Sequence, residues 1–370
     1  MRVAIVHYWL VTMRGGEKVL EELCSLFPTA DIYTHVVDYR ILPSSIKQHR
    51  ISTTFINNLP AASRLYQKYL PLMPLALEQL DLRHYDLVIS SESGPAKGVI
   101  TPARTFHLCY CHTPMRYLWD MYHDYRENAG PITRTIMAPT FSYLRQWDYS
   151  AAARVDHFVA NSTAIQRRIA KTYRRKSDVV YPPVAVEAFS PSASAEDYFL
   201  CCGQLVRYKR VDLAIEVFNR LGKPLIVVGE GEEYHRLKKL AGPTVRFLGH
   251  QPLADLRRLY ANCRALIFPG EEDFGIVPVE AMASGRPVIA YNRGGIRDTV
   301  IDGRNGILFA EQTVECLQQA VARFELEANQ FNPGQIASDA ARFSAARFRT
   351  EMFQLINRKL DEFRVSGPET

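Results

Sequence analysis

Hydrophobic positions along this chain fall into two alternating rhythms. Short, nearly unbroken apolar runs cover Arg2 to Tyr8, Asp31 to Val37, Tyr85 to Ser91, Phe106 to Cys111 and Arg154 to Ser162. They return at Asp197 to Gly203, Pro224 to Val228, Val245 to Leu248 and Ala265 to Pro269. Runs of this length, with both faces apolar as in Leu87-Val88-Ile89, predict strands buried on both sides in parallel sheets. Between them lie stretches with helical spacing. Lys18 to Phe27 sets Val19, Leu20, Leu23, Leu26 and Phe27 on one side. Thr163 to Tyr173, Asp212 to Leu221 and Ala254 to Ala261 are further helices, and Ser344 to Arg364 is a helical tail. Asn161-Ser162 stands where the Thr163 helix needs a cap. Strand alternating with helix predicts an α/β protein, and its two series meet at Val180-Tyr181-Pro182-Pro183-Val184, stiffened by its prolines. The expected division is a first domain over 1–182, a second over 185–345 and a terminal helix over 346–370.

Two stretches break the rhythm. From 122 to 147 aromatic residues and single arginines mix without a clear period, which predicts helix and loop. Residues 53–83 combine Phe55, Ile56, Leu59, Tyr66, Tyr69, Leu72, Met73 and Leu75 with Arg64, Lys68 and Arg83. This stretch carries two readings: a pair of core helices, or a basic, aromatic face for a membrane surface.

Composition narrows the class. A chain of 370 residues has room for two cores. With 47% hydrophobic and 23% charged residues it is a globular protein, and its net charge of +6 suits phosphate-bearing ligands without calling for nucleic acid. The seven cysteines show no metal-type spacing and are expected as reduced, buried thiols, which points to the cytoplasm. No stretch approaches the roughly 20 apolar residues of a membrane span, and Met1 to Val6 is too short and too quickly polar for a signal peptide.

The densest chemistry lies between Glu271 and Ala290. After the strand ending at Pro269, Pro278 suits a first helical turn and Gly285 a helix stop. Phe274, Gly275, Ile276 and Val277 then lie at a helix N-terminus, whose free N–H groups and dipole favour an anion such as a diphosphate. Glu272 in the loop and Glu280, expected in the first helical turn, frame that place. Each has a bland reading, as a solvated residue or a dipole cap, and a functional one, as an acceptor of two hydroxyl hydrogen bonds. A second cationic stretch, Gly203 to Arg210, again joins a strand to a helix, and Lys209 is its candidate for a phosphate oxygen. In the first half Gly15-Gly16 separates a strand from a helix. There is no G-x-G-x-x-G and no G-K-[ST] there, which argues against a dinucleotide site or a P-loop. His112 follows a strand's carboxyl end, where open α/β sheets bind ligands, and is otherwise a histidine satisfied by local backbone.

The run E-D-F-G-x-x-P-x-E-A-M-A-x-G-x-P-V-I-A, with Glu272 and Glu280 at its spacing, resembles the signature of the retaining, nucleotide-sugar-dependent glycosyltransferases of the GT-B fold. Where the family usually reads Glu-Gly-Phe-Gly, this chain has Asp273 for the first glycine. The family's Gly-Arg-Leu-x-x-x-Lys is matched at Lys209, with Gln204 in place of the arginine and Arg207 three residues on. The resemblance implies two doubly wound, Rossmann-like domains facing a cleft, with the terminal helix crossing back to the first. It implies that Glu280 holds the nucleotide ribose, Glu272 contacts the transferred sugar, and the backbone of Phe274 to Val277 holds sugar and diphosphate. It also raises Gly15, Gly16 and Ser162 as donor contacts, His112 as a neighbour of the transferred sugar, and Arg116 on the acceptor side. The segments Gly-Gly-Glu-Lys-Val, His-Thr-Pro-Met-Arg-Tyr and Tyr-Lys-Arg-Val-Asp-Leu are most similar to bacterial mannosyltransferases of surface-polysaccharide assembly. That implies GDP-mannose as donor, a glycan or lipid-linked acceptor and peripheral contact with the inner face of a membrane; with cations and a helix N-terminus for the diphosphate and no Asp-x-Asp or His/Cys cluster, no metal or other cofactor is expected. A glucosyl- or rhamnosyltransferase with a UDP- or GDP-linked donor is the alternative, and a sugar-nucleotide epimerase of the same fold the more distant one.

Overall fold

The structure, a computed structural model, describes residues 1–127, 129–192 and 194–366. It divides into two units, residues 1–182 with 348–370, and residues 183–347.

The first unit is built on a parallel sheet of β1 (Val3–His7), β2 (Asp31–Thr34), β3 (Ile51–Thr53), β4 (Leu87–Glu92), β5 (Phe106–Cys111), β6 (His157–Ala160) and β7 (Ser177–Val179), in the order β3-β2-β1-β4-β5-β6-β7. The central strands are apolar without alternation because both faces are covered. Val3 and Ile5 face one layer, with Val19, Leu20 and Leu23 of the helix Gly15–Leu26 and with Phe348, Met352 and Ile356 of the terminal helix. Ala4 and Val6 face the other, with Leu77, Leu82 and Val88. From Phe348 onward the terminal helix Ala345–Ser366 therefore packs on the first unit. Arg349 donates to Glu22 at 2.5 Å, and the Phe363 ring lies 5.3 Å from that of Phe106.

The second unit repeats the plan with β8 (Phe199–Cys202), β9 (Leu225–Val228), β10 (Val245–Gly249), β11 (Leu266–Phe268), β12 (Val288–Tyr291) and β13 (Gly306–Phe309), all parallel, in the order β10-β9-β8-β11-β12-β13. Its helix Val211–Leu221, expected over Asp212 to Leu221, buries Val211, Leu213, Ala214, Ile215, Val217 and Phe218. In each sheet the chain first builds outward from one strand and then crosses to that strand's other side. The reversal falls between β1 and β4 in the first sheet and between β8 and β11 in the second. Beyond the carboxyl ends of such a pair, connections diverge and leave a crevice, where open α/β sheets hold ligands.

Three expectations need correction. Residues 53–83 do not form a helix pair. They make short turns of helix, Phe55–Asn58, Ala62–Leu65, Tyr66–Leu72 and Met73–Glu78, broken by Pro60, Pro71 and the left-handed Ala61. The apolar residues there pack in two directions, with Ile56, Met73 and Leu77 buried and Leu72 and Leu75 exposed. Gly15 and Gly16 are not in a loop; they are the first two residues of the helix Gly15–Leu26. Glu280 is not in the first turn of its helix, which runs from Ile276 to Ala283 and has no acidic residue in that turn. The edge strands β3, β7 and β13 fall outside the strands expected from hydrophobic pattern, all three being short and β3 and β7 only partly apolar. The irregular stretch around 122–147 contains the helices Tyr122–Glu127 and Pro131–Ala153. The second is long, yet buries only Met137, Leu144, Asp148, Ala151 and Ala152, which explains its weak period.

Candidate functional site

In the second unit the crevice between β8 and β11 is lined by Cys202, Gly203, Gln204, Lys209, Pro269, Gly270 and Glu272. Lys209 ends a single turn of 3-10 helix, Arg207–Lys209, that follows β8. Its Nζ lies 2.8 Å from Glu272 Oε1, with both side chains mostly buried. Burial alone would pull the ammonium pKa down, but the Glu272 charge outweighs this and the pKa is raised, so Lys209 stays cationic. Arg207 is exposed on the same turn, and Arg210 pairs with Asp212 at 3.3 Å.

Glu272 is held by its backbone as well as its charge. Gly295 N–H donates to Glu272 O at 2.8 Å, and Glu272 forms a parallel bridge with Gly294. Gly275 takes φ +93° as N-cap of Ile276–Ala283, a left-handed turn that a side chain would strain. That turn starts the helix directly after the loop, so the Ile276 and Val277 N–H groups belong to a first turn without intrahelical acceptors. Phe274 is buried, its ring 5.5 Å from that of Phe343, and anchors the loop from beneath.

Glu280 sits one turn further along. Tyr260, fully buried in the helix Leu253–Asn262, donates its hydroxyl to Glu280 Oε2 at 3.0 Å. Burial outweighs that bond and pushes the carboxyl up to about 7. A carboxyl poised there is a group whose environment disfavours its charge until a partner arrives.

In the first unit the crevice falls beyond β1, β4 and β5. His112 follows β5 and is buried; Ser91 Oγ lies 2.8 Å from its Nε2. Burial, then the nearby His7 ring, push the imidazole down to about 3, so it is neutral. Gly16 is packed against it: a Cβ there would overlap the Tyr8 hydroxyl and stand 3.5 Å from His112 Nε2. The loop after His112 is held at several points. Arg168 bonds Thr113 Oγ1 at 2.8 Å and Asp120 at 2.5 Å. Trp119 Nε1 donates to Asp148 at 2.7 Å. Asp148 also joins Lys97, which bonds Glu92 at 2.6 Å, in a fully buried cluster. Burial opposes the Lys97 charge, but Asp148 and Glu92 outweigh it and raise its pKa. Arg116 is half-buried in the same loop. Ser162 is buried and accepts from Ile165 N–H at 3.1 Å, capping the helix Thr163–Tyr173.

The structure thus gathers Lys209, Arg207, Glu272, Phe274 to Val277 and Glu280 at one sheet's switch point. It gathers Gly15, Gly16, His112 and Arg116 around the strand ends of the other unit. Sequence reasoning missed Tyr260, Gly294-Gly295, His7, Ser91 and the Lys97 cluster. Only Gly294-Gly295, a glycine pair just past a strand, carried a signal. All seven cysteines are free, and among the described residues no group of three His, Cys, Asp or Glu side chains is placed to hold a metal ion.

Two doubly wound parallel sheets, each with polar groups at its switch point, define a two-unit, Rossmann-like class of α/β proteins. Residues 157–335 match the family model for glycosyl transferases group 1, and residues 13–188 that for Glycosyltransferase Family 4. The two models together span residues 13–335, and the fold is that of the GT-B glycosyltransferases. The chain is 26% identical over 296 residues to alpha-1,3/1,6-mannosyltransferase alg2 of Schizosaccharomyces pombe, covering 66% of this chain and 56% of that one. It is 31% identical over 182 residues to a GDP-mannose-dependent alpha-mannosyltransferase of Mycolicibacterium smegmatis, covering 46% and 48%. The chain thus spans about half the length of these curated relatives. Its fold is that of Anabaena HepE in complex with UDP-glucose, with TM-score 0.68 and 18% identity over 97% of this chain and 100% of that one.

Proposed function

We propose that the chain is a retaining glycosyltransferase that moves a hexose, mannose from GDP-mannose, onto a glycan acceptor carried on a lipid. The observation that carries this is the Lys209–Glu272 ion pair, 2.8 Å long, at the mouth of a switch-point crevice beside a helix N-terminus. Transfer from a nucleotide sugar leaves negative charge on the departing diphosphate, so leaving-group stabilisation is the main demand on the protein. Lys209 and the N–H groups of Phe274 to Val277 supply it without a metal, and Arg207 stands on the same turn as a second cation. Diphosphate would draw Lys209 from Glu272 and leave that carboxylate for sugar hydroxyls. Glu280, once ionised, accepts two ribose hydroxyls. This assigns the donor to the second unit and the acceptor to the first, where Arg116 and the neutral His112 offer polar contacts to sugar hydroxyls. Gly16, next to Gly15 at the start of its helix, leaves room for the Tyr8 hydroxyl beside His112, and Ser162 supports that wall as a cap. The mannosyl relatives favour GDP-mannose; the UDP-glucose held by the structural relative favours a glucosyl donor as the second reading.

A lipid-linked acceptor would bring the enzyme to a membrane surface. No helix among the described residues is long and apolar enough to cross one. The exposed Leu72 and Leu75 lie in the same stretch as the exposed Arg64 and Lys68, a composition suited to peripheral contact with an anionic leaflet, cytoplasmic if the donor pool is. Arg83 is less available, being bonded through two nitrogens to Asp81.

The test is a thermal-shift panel of nucleotide sugars followed by NMR of the transferred linkage. A ligand that binds only the folded state raises the melting point by mass action. GDP-mannose should shift it and the product should keep the donor's anomeric configuration. A shift with UDP-glucose alone would select the second reading, an inverted product would refute retention, and no shift with any nucleotide sugar would refute the function.

A further inference from the structure

Three neighbouring strands of the first sheet end on side chains that touch. His7 closes β1 and is in register with Ser91 of β4. His7 Nδ1 and Ser91 Oγ are 3.1 Å apart, and Ser91 Oγ and His112 Nε2 are 2.8 Å apart. Behind His7 stands Glu17, with Oε1 3.9 Å from His7 Nε2, close enough to act on the ring through its charge though not through a hydrogen bond, for Nε2 has no hydrogen-bond partner. Its Oε2 accepts Arg14 N–H at 2.8 Å, and its Oε1 accepts the Thr12 hydroxyl at 3.3 Å. Glu17, His7 and Ser91 are at most 1% exposed, and His112 is 9% exposed. His7 and Ser91 carry no mark in the sequence pattern, Glu17 is marked only by its place in the Gly-Gly-Glu-Lys-Val segment, and helix capping accounts for only one of its oxygens.

The order of hydrogens follows from counting them. A serine hydroxyl has one hydrogen and sits between two ring nitrogens, so it donates to one and accepts from the other. Glu17 is an ionised acceptor with no hydrogen to give: burial opposes its charge, but the His7 ring and the Arg14 N–H outweigh it and lower its pKa. A bare nitrogen lone pair facing a carboxylate is repelled, so His7 carries its hydrogen on Nε2. With one hydrogen on each ring, His7 Nδ1 is then an acceptor and Ser91 donates to it. Ser91 oxygen must accept from His112, whose hydrogen is therefore on Nε2.

We propose that Glu17, His7 and Ser91 are positioning residues that fix the tautomer of His112, leaving its Nδ1 bare to accept a hydrogen bond from a substrate hydroxyl. This rests on the reading of His112 as a substrate contact, but the tautomer exists without substrate. A relay whose far ring faces a buried carboxylate has its polarity set by that charge, and the two Ser91 bonds carry it to His112, so the site presents an acceptor where a free histidine would present either face.

The experiment is nitrogen-15 NMR of the full chain with labelled histidine at pH 8.5, with His112 assigned by the loss of its signals in His112→Gln. A second hydrogen, on His7 Nδ1, would reverse both bonds of Ser91, so the spectra are taken in alkaline solution. In the native protein His112 Nδ1 should resonate as a bare ring nitrogen and Nε2 as a protonated one. Ser91→Ala removes the acceptor and Glu17→Gln the lock at unchanged size; in both, Nδ1 should move toward the protonated range, and Ser91→Thr should restore it. A protonated Nδ1 in the native protein, or an Nδ1 unmoved in both variants, overturns the proposal. No sugar is present, so neither result can be confused with failure of donor binding or transfer.

Discussion

Replacing Glu280 by glutamine should make the unliganded protein more stable at neutral pH and less able to hold its donor. The folded carboxyl titrates near 7 against an ordinary 4.5, so the folded state binds this proton more tightly than the unfolded chain does. The sign follows. Below the unfolded value both states are protonated and nothing is lost. As pH rises through the window from 4.5 to 7 the unfolded chain releases its proton first, and folded stability falls. At roughly 1.4 kcal/mol per pH unit the limit is about 3 kcal/mol, trimmed to about 2 by the solvent that reaches this half-buried side chain. Glutamine keeps an oxygen for the Tyr260 hydroxyl and carries no charge. The gain should be near zero at pH 4.5 and about 2 kcal/mol at pH 7.5, a rise of about 4–8 °C in the melting of a unit this size. An ionised carboxylate accepting ribose hydroxyls is worth about 1.5–3 kcal/mol, so nucleotide binding should weaken by about 10–100-fold in the same variant. In the native protein donor affinity should rise with pH up to about 7 and then level off, with proton release on binding. The assay is a pair of melting curves across pH with calorimetry of nucleoside diphosphate in buffers of different ionisation enthalpy. A variant that melts no higher than the native protein at pH 7.5, or binds nucleotide as well, would refute the argument.

Four further outcomes are expected. Lys209→Ala removes the ammonium from the crevice and strands Glu272; nucleoside diphosphate affinity should fall about 10–100-fold by titration calorimetry, with turnover falling alongside, and unchanged values would remove Lys209 from the phosphate site. Transfer should persist in EDTA, because the leaving group is held by Lys209 and N–H groups; loss of activity restored by magnesium or manganese would contradict this. Gly16→Ala should lower acceptor-dependent turnover at least tenfold while leaving nucleotide binding to the second unit intact, since the added methyl overlaps the Tyr8 hydroxyl beside His112; a variant with native turnover would separate Gly16 from the site. Vesicle sedimentation should show salt-sensitive binding to anionic but not neutral lipid, lost in Arg64→Glu with Lys68→Glu; binding indifferent to charge, or surviving that change, would place the contact elsewhere.

Local rules determined much of this protein from the sequence alone. Strands buried on both faces announce themselves as apolar runs, which is why β5 has the limits the pattern predicts, 106–111. Ser162 as the cap of Thr163–Tyr173 and Gly285, at φ +75°, just past the end of Ile276–Ala283 are likewise readable, because capping is settled within a few residues. Lys209 and Glu272 stood out singly by residue type and loop position. Their pairing did not, because they are 63 residues apart in the chain and meet only when β8 and β11 become neighbours across the reversal of strand order. Tertiary structure also decided the chemistry of Glu280. As a sequence position it reads as a dipole cap with an ordinary carboxyl, whereas burial against Tyr260 moves it toward neutrality. The short turns of 53–83 were illegible because their apolar residues serve more than one direction and share no single period. His7, Ser91 and Glu17 look like strand and helix residues until three parallel strands bring their ends together. Periodicity encodes which face of an element is buried. It does not encode which elements become neighbours, and a site assembled from strand ends depends on that.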